Sequence, residues 1–487
     1  MRPTIQVVAD LRGGLQQLPL DVSHNASRPP DPKEMYAPRG HEGALDPDRA
    51  IVVGNRGVGK SFWSGALIDE DTRRVLALAY PKLNLASVRA SLGFSGDDFS
   101  KGAAPSANVL RSLLEKGIRP ETVWRSVLLK AIDRTWESES FEKACAFINE
   151  HPEEYERAMV AADARLRREG VKQLLVFDAL DRLGANWQVV RELTRGLLRL
   201  SLSLRSYSSI RAKIFVRPDQ GDDRLVFDFP DASKLRAERV ELKWSTTDLY
   251  GLLYSWLANS TVSKGAFAAL LKGVKLELRE DMGIFALPEA IKSDERAQAD
   301  LFTVLAGEFM GNNHRRGRTY TWLPNHLGDA HGQTAPRTFL TALKVAADRG
   351  VHDQAMAKKQ AIDHHGIKEG VQRASQVRLD QLAEDHVWIR SALSSLSGME
   401  VPCAAEAIIA KWRQDGLVRK IRKDVESGKY LGPLELQAPS ASEGAILDAL
   451  TRIAVTEQRS SGKINIPDIF RVAASLKRRG GIKPPGK

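Results

Sequence analysis

Gly54, Gly59, Lys60 and Ser61 stand in the spacing G-x-x-x-x-G-K-S, and the chemistry of that spacing is the cradling of phosphate. Glycines let successive backbone N–H groups turn inward around phosphate oxygens, and a helix opening at the lysine adds the positive end of its dipole. The loop Gly54, Asn55, Arg56, Gly57, Val58, Gly59, Lys60 and Ser61, with Phe62 next on the helix, is therefore expected to bind ATP and Mg2+. Lys60 would reach the β- and γ-phosphates and Ser61 would hold the metal. A second stretch, VKQLLVFDALDRL from Val171 to Leu183, sets Asp178 at the end of four apolar residues, Leu174 to Phe177. A carboxylate there can organise Mg2+ together with Ser61, and Asp181, one turn further on, can orient an attacking water. Capping the following helix is the plainer role open to Asp178.

These groups need a scaffold, and the chain supplies the pattern of one. Arg49 to Val53 reads as a buried strand entering the loop, and Phe62, Trp63, Ala66 and Leu67 as the apolar face of the helix leaving it. Arg74 to Tyr80, ended by Pro81, reads as a second buried strand. Residues 82–170 read as mostly helical, with Val123, Trp124, Val127, Leu128 and Ala131 on one face after Pro120. Leu174 to Phe177 is a strand buried on both faces, whose carboxyl end is where ligands bind in an open α/β sheet. RAKIFVRPD, Arg211 to Asp219, is a further strand. Val240 to Leu257 is a last strand leading through Ser245 and Thr246 into a helix with Leu249, Leu252, Leu253 and Trp256 inward. The expected fold is α/β, a parallel sheet flanked by helices. Residues 1–48, rich in Pro, Asp, Gly and His without sustained periodicity, read as an N-terminal arm able to touch a base or a neighbouring subunit.

LLVFDALDRL resembles the hhhhDxxD form of the second NTPase motif in STAND-class P-loop ATPases, including NACHT-type proteins, within the AAA+-like assemblage. The resemblance covers roughly residues 50–345. It implies a P-loop NTPase core over 49–258 with a helical insertion at about 82–170, and an all-helical lid over 259–350. It also implies a bacterial regulatory or defence ATPase whose nucleotide state controls assembly or engagement of an effector protein. Two departures imply slow hydrolysis: Ala179 stands where typical AAA+ proteins carry a catalytic Glu, and Arg182 replaces a further acidic residue. Arg217 is similar to a sensor reporting on the γ-phosphate from a strand between the two phosphate-facing ones, a surface salt bridge being the other reading. Arg337, in TAPRTFL from Thr334 to Leu340, is similar to the second sensor, where an Arg at a helix start favours an anionic partner. Arg182, Arg315, Arg316 and Arg318 are candidates for an arginine acting across a subunit boundary of a homo-oligomer.

Beyond Gly350 the chain becomes more charged. Residues 351–432 read as a helical region with a packed pair over Gly366 to Leu396, and Gly432-Pro433 to Ser442 as a linker. Residues 440–487 read as a basic winged-helix-like module with a second helix from Pro467 through Lys477 and a Gly480-Gly481 turn. The last 25 residues hold seven Lys or Arg against Asp468, a net +6 of the whole chain's +11. Duplex DNA bound there, as by origin-recognition or clamp-loading ATPases, is the alternative function. A nucleotide-binding scaffold with negligible hydrolysis is the third. At 487 residues, 43% hydrophobic and 27% charged, the composition is that of a globular protein of several domains. No apolar run suits a membrane span or a signal peptide, so the expected compartment is the cytoplasm, with no membrane partner. Cys145 and Cys403 make neither a disulfide framework nor a metal cluster, and His364-His365 lacks ligands at metal spacing.

Overall fold

Three strand ends and one glycine-rich loop meet on a single edge of a five-stranded parallel sheet. The computed structural model describes residues 3–20, 28–97, 99–184, 186–351 and 354–478. The strands are β1 (Ile51–Val53), β2 (Val88–Phe94), β3 (Lys172–Phe177), β4 (Ile210–Val216) and β5 (Val240–Glu241), in the order β2-β3-β4-β1-β5. β4 lies between the other two functional strands, with Val53 level with Val216 and Phe177 level with Ile214. Gly54, Asp178 and Arg217, which follow these strands directly, therefore leave the same carboxyl edge. This is the P-loop NTPase α/β core, as the sequence pattern requires.

Side chains alternate across the strands and so feed two cores. Val52, Leu174, Val176 and Phe215 face one, and Ile51, Val53, Leu175, Phe177, Ile214 and Val216 face the other. The second core is closed by the helices Pro120–Ile132, Phe141–Glu150, Pro152–Glu169 and Trp187–Ser203. Trp124 is fully buried there, and its indole N–H donates to the Leu193 carbonyl at 2.8 Å. The first core runs on without a break into the helices Thr246–Asn259, Glu295–Ala306, Thr319–Leu327, Pro336–Arg349 and His364–Asp385. Both faces being covered explains the continuous apolar runs of β1, β3 and β4.

Several sequence expectations are corrected. Arg74 to Tyr80 is not a strand but the body of a helix, Glu70–Ala79, capped by the Asp69 carboxylate accepting from Thr72 N. Thr72, Arg73, Leu76 and Tyr80 are buried while Leu78 is 53% exposed, a period near 3.6 that the apolar composition hid. The second strand is β2, inside the stretch expected to be mostly helical. As an edge strand with Arg89 exposed, it lacks a buried run. The arm is also more ordered than expected: Thr4 caps a helix, Ile5–Gln16, that buries Val8, Leu11 and Leu15. Gly13 and Gly14 disguise it, each costing about 1 kcal/mol against Ala in a helix.

The lid region is not all helical. It carries a hairpin, Arg279–Asp281 with Ile284–Ala286, whose turn residues Met282 and Gly283 have φ of 50° and 74°, as a two-residue hairpin turn demands. The linker is docked: Trp187 Nε1 donates to the Gly432 carbonyl at 2.8 Å and Leu436 is buried. The expected basic helix from Pro467 through Lys477 shrinks to one turn, Asp468–Arg471, because Ser475 turns left-handed at φ 56° and Ile469, Phe470, Val472 and Leu476 all face inward. Arg471 is 1% exposed and held by Asp468 at 2.8 Å, so it presents no charge outward. Arg459, Lys463 and Lys477 stay exposed in this unit, and further cations face solvent on Leu417–Glu426, where Arg419, Lys420 and Lys423 point outward and Leu417 and Ile421 face the core. The Gly480-Gly481 turn and the last cations lie outside the described residues.

Candidate functional site

Glycine does what the motif needs of it in the loop between β1 and the phosphate helix, Lys60–Ile68. Gly57 and Gly59 have φ of 81° and 103°, values that a side chain strongly disfavours, and Gly59 is the residue from which the helix starts. Gly54 N donates to the Val216 carbonyl at 3.1 Å, fixing the loop entrance to β4. Trp244 Nε1 donates to the Val58 carbonyl at 2.8 Å, fixing its middle to the segment after β5. The Lys60 ammonium curls back to the Gly54 and Asn55 carbonyls at 2.8 and 3.2 Å. Desolvation pushes its pKa below the ordinary lysine value.

Asp178, 6% exposed, lies opposite the helix start, with the Ser61 side chain as its hydrogen-bond partner. Burial raises its pKa, against the pull of Ser61 and Lys60. The hydroxyl and the carboxylate are hard oxygen donors side by side, the set Mg2+ takes together with phosphate oxygens and water. Among the described residues no three His, Cys, Asp or Glu are grouped so as to hold a metal ion. Ala179 is left-handed at φ 57°, and the one-turn 3-10 helix Leu180–Arg182 after it carries Asp181 to 3.5 Å from Arg217.

Arg217 is not on the surface. It is 5% exposed and donates to Asp219 at 3.0 and 2.7 Å. Burial opposes its charge, but Asp219, Asp181 and Asp385 outweigh burial and hold its pKa above the ordinary value. Arg337, second residue of the lid helix Pro336–Arg349, lines the same cavity from the other side.

That cavity holds about 400 Å3. Arg56, Gly57, Gly59, Lys60, Ser61, Phe62, Asp178, Asp181, Arg217 and Arg337 all line it, whereas Gly54, Asn55 and Val58 support it from behind. Of the four arginines considered for a subunit boundary, Arg182 lines the cavity and Arg315, Arg316 and Arg318 do not. Tyr36, Trp63, Trp244 and Trp256 are also among its walls, aromatic surface suited to a flat heterocycle. Buried polar atoms of lining residues also stand without a hydrogen-bond partner: Trp63 Nε1, Gln220 Nε2 and Gln381 Oε1.

Sequence reasoning missed a whole wall. The long helix His364–Asp385 ends at the loop: Arg378 donates to the Arg56 carbonyl at 2.5 Å, and Glu384 and Asp385 ion-pair with the Arg56 guanidinium. Gln381 and Asp385 line the cavity. Nothing in the spacing of these residues marks them, since each lies more than 300 positions from the loop it meets. Glu34 and Tyr36 of the N-terminal segment, which also line the cavity, were missed because a stretch without periodicity marks none of its positions; contact with a base was one reading of that segment and a loose tail the other.

His386, just past that helix, has its pKa lowered to about 4 by burial and by the Arg217 charge, against the pull of Asp219 and Asp181. A folded-state value below the unfolded one near 6.5 means that the native histidine stays neutral. Its contribution to stability is complete above pH 6.5 and is lost as pH falls toward 4. Asp178 and Asp385, raised by burial, act in the opposite direction over the acid range. The test is therefore a difference: the thermal midpoint of the wild type should fall more steeply between pH 6.5 and 4.5 than that of His386→Gln. Parallel curves would remove His386 as a source of acid lability.

No protein-family model matches the chain, and no curated protein matches it. Among solved structures, the Aeropyrum pernix ORC2 protein in ADPNP-ADP complexes is similar at 13% identity, covering 93% of this chain and 95% of that one with a TM-score of 0.37. The Walker-type ATPase PABY2304 of Pyrococcus abyssi is similar at 12% identity, covering 91% and 99% with a TM-score of 0.40. The Aeropyrum pernix ORC1 protein in complex with DNA is similar at 12% identity, covering 95% and 96% with a TM-score of 0.33. No helix among the described residues is long and apolar enough to cross a membrane.

Proposed function

We propose that this chain binds ATP with Mg2+, hydrolyses it slowly, and uses the nucleotide state to set the arrangement of its lid and C-terminal helices. The observation that carries this reading is that Lys60, Ser61 and Asp178 of the sheet domain and Arg337 of the lid helix line one cavity that also has aromatic walls. A ligand touching both parts favours one relative arrangement of them, by no more than its differential affinity for the two arrangements. Lys60 and the loop amides bind the β- and γ-phosphates, while Ser61 and Asp178 orient the metal. Mg2+, when bound, neutralises charge on the phosphate oxygens. Arg217 fixes the Asp181 carboxylate, which orients the attacking water and takes its proton.

With no Glu at position 179, Asp181 is the best-placed base. Asp181→Ala should leave ATP affinity within about threefold and lower turnover on the order of 100-fold, read by phosphate release at saturating ATP. Turnover unchanged in Asp181→Ala would remove it from the chemistry. Resemblance to STAND-class motifs supports a regulatory or anti-phage defence setting in bacteria, acting through assembly or an effector protein.

The first experiment is the solution mass of the full chain with Mg2+ and ATP, ADP or neither, for wild type and Lys60→Ala. A mass that changes with ATP, and not in Lys60→Ala, is expected. The exposed cations of Leu417–Glu426 favour a second reading, an ATP-governed grip on duplex DNA. An unchanged mass together with ATP-dependent, salt-sensitive capture of duplex would select it.

A further inference from the structure

A carboxylate from outside the sheet domain stands among the cations that face the phosphate end of the cavity. One oxygen of Asp385 pairs with Arg56 of the glycine-rich loop, and the other lies 4.0 Å from Arg217 at the end of β4. Glu384 pairs with the second Arg56 nitrogen. The Asp385 side chain is 9% exposed, so this is a desolvated bridge rather than a surface pair. Two turns earlier, Arg378 donates to the Arg56 carbonyl and locks the same helix end onto the loop backbone. The helix is anchored at a distance as well: Ser375 Oγ donates to the Ile469 carbonyl at 2.6 Å, joining it to the C-terminal module.

We propose that Asp385 is the residue through which this site discriminates a nucleoside triphosphate from a diphosphate, because its carboxylate and a third phosphate compete for Arg56 and Arg217. The inference rests on the nucleotide reading above. A diphosphate held by Lys60 and the loop amides leaves the two arginines to Asp385. A γ-phosphate adds one net negative charge to the nucleotide and places up to two at its own position beside the same cations, and like charges at such separations in a desolvated site cannot both be kept. Asp385 then yields, and with it the end of the long helix. His386 and the helix Trp388–Ser395 follow directly in the chain, so the loss of that anchor reaches the C-terminal module. By linkage, whatever holds the helix end against the loop lowers affinity for the triphosphate selectively. Asp385 acts as a specificity-determining residue and takes no part in bond making.

The test measures ATP and ADP affinity of the full chain with Mg2+, by competition against a fluorescent nucleotide, for wild type, Asp385→Asn and Asp385→Glu. Removing the charge at constant shape frees a competitor-held site, so Asp385→Asn should bind ATP about tenfold tighter. ADP should change by less than about twofold, and Asp385→Glu should keep the wild-type ratio. Hydrogen exchange over residues 378–396 of the wild type needs no variant and should rise with ATP but not with ADP. An ATP-to-ADP ratio unaltered in Asp385→Asn overturns the inference while leaving the nucleotide reading intact. Equal weakening of both nucleotides, showing a structural role only, does the same. Failure of wild type and Asp385→Asn alike to bind either nucleotide overturns both.

Discussion

Lys60→Ala is expected to abolish measurable ATP binding, a loss of at least about 100-fold, or about 3 kcal/mol, in a calorimetric or fluorescence titration. The ammonium is the cation fixed at the foot of the phosphate helix, and the loop carbonyls of Gly54 and Asn55 hold it in the cavity wall. Alanine removes the charge from a partly desolvated place where it is worth more than in water. The fold should tolerate the change, because the ammonium makes its bonds to the loop carbonyls of Gly54 and Asn55 and not to either core; the thermal midpoint should stay within a few degrees. Lys60→Arg should not restore affinity, since a planar guanidinium cannot reproduce a point charge at the end of a flexible stem. ATP bound equally well without Lys60 would sink the nucleotide assignment.

Gly370→Val is expected to be the most damaging single substitution away from the cavity. The lid helix Pro336–Arg349 and the long helix His364–Asp385 pack almost backbone to backbone: a Cβ at Gly370 would lie 2.1 Å from the Ala342 carbonyl oxygen, and one at Gly366 2.9 Å from that of Ala346. A valine must push two helices apart along a buried seam lined by Leu343, Ile367, Val371 and Ala374. Overpacking of this kind costs about 3 kcal/mol, more where backbone is the obstacle. The same displacement would move Arg337, at one end of the first helix, relative to Asp385, at one end of the second. Chemical denaturation should therefore show a lower midpoint, and ATP affinity should fall in whatever fraction remains folded. Gly265→Ala is the control: nothing lies within 4 Å of its Cβ, and in a helix the change should be neutral or stabilising by up to about 1 kcal/mol. Equal stability of Gly370→Val and wild type would show that the seam can relax.

Local signals served where chemistry and geometry are set by neighbours in sequence. The glycine-rich loop, the buried runs of β3 and β4 and the cap at Ser245 were all legible, because each is fixed within about ten residues. Elsewhere, tertiary context overrode composition. VLALAY is apolar enough for a strand, yet Asp69, Glu70 and Asp71 nucleate a helix through it. VRASLGF is too polar for a buried strand, yet it completes the sheet from its edge. Near Lys477, counting charge suggested a surface helix, whereas burial of Arg471 against Asp468 makes the segment core.

The sequence by itself determined the glycine-rich loop, the strand that delivers Asp178 and the α/β class, since backbone preference and side-chain period act over short distances and leave a repeating trace. Only the tertiary structure decided that Arg217 is buried among carboxylates, that the N-terminal segment supplies Tyr36 to the cavity wall, and that Arg378, Glu384 and Asp385 close on the loop from the far part of the chain. The contacts of Arg378, Glu384 and Asp385 with Arg56 join residues more than 300 positions apart. What brings them together is a single apolar core running from one sheet face into the C-terminal helices, an attraction proportional to buried area that carries no directional signature in the residues it places.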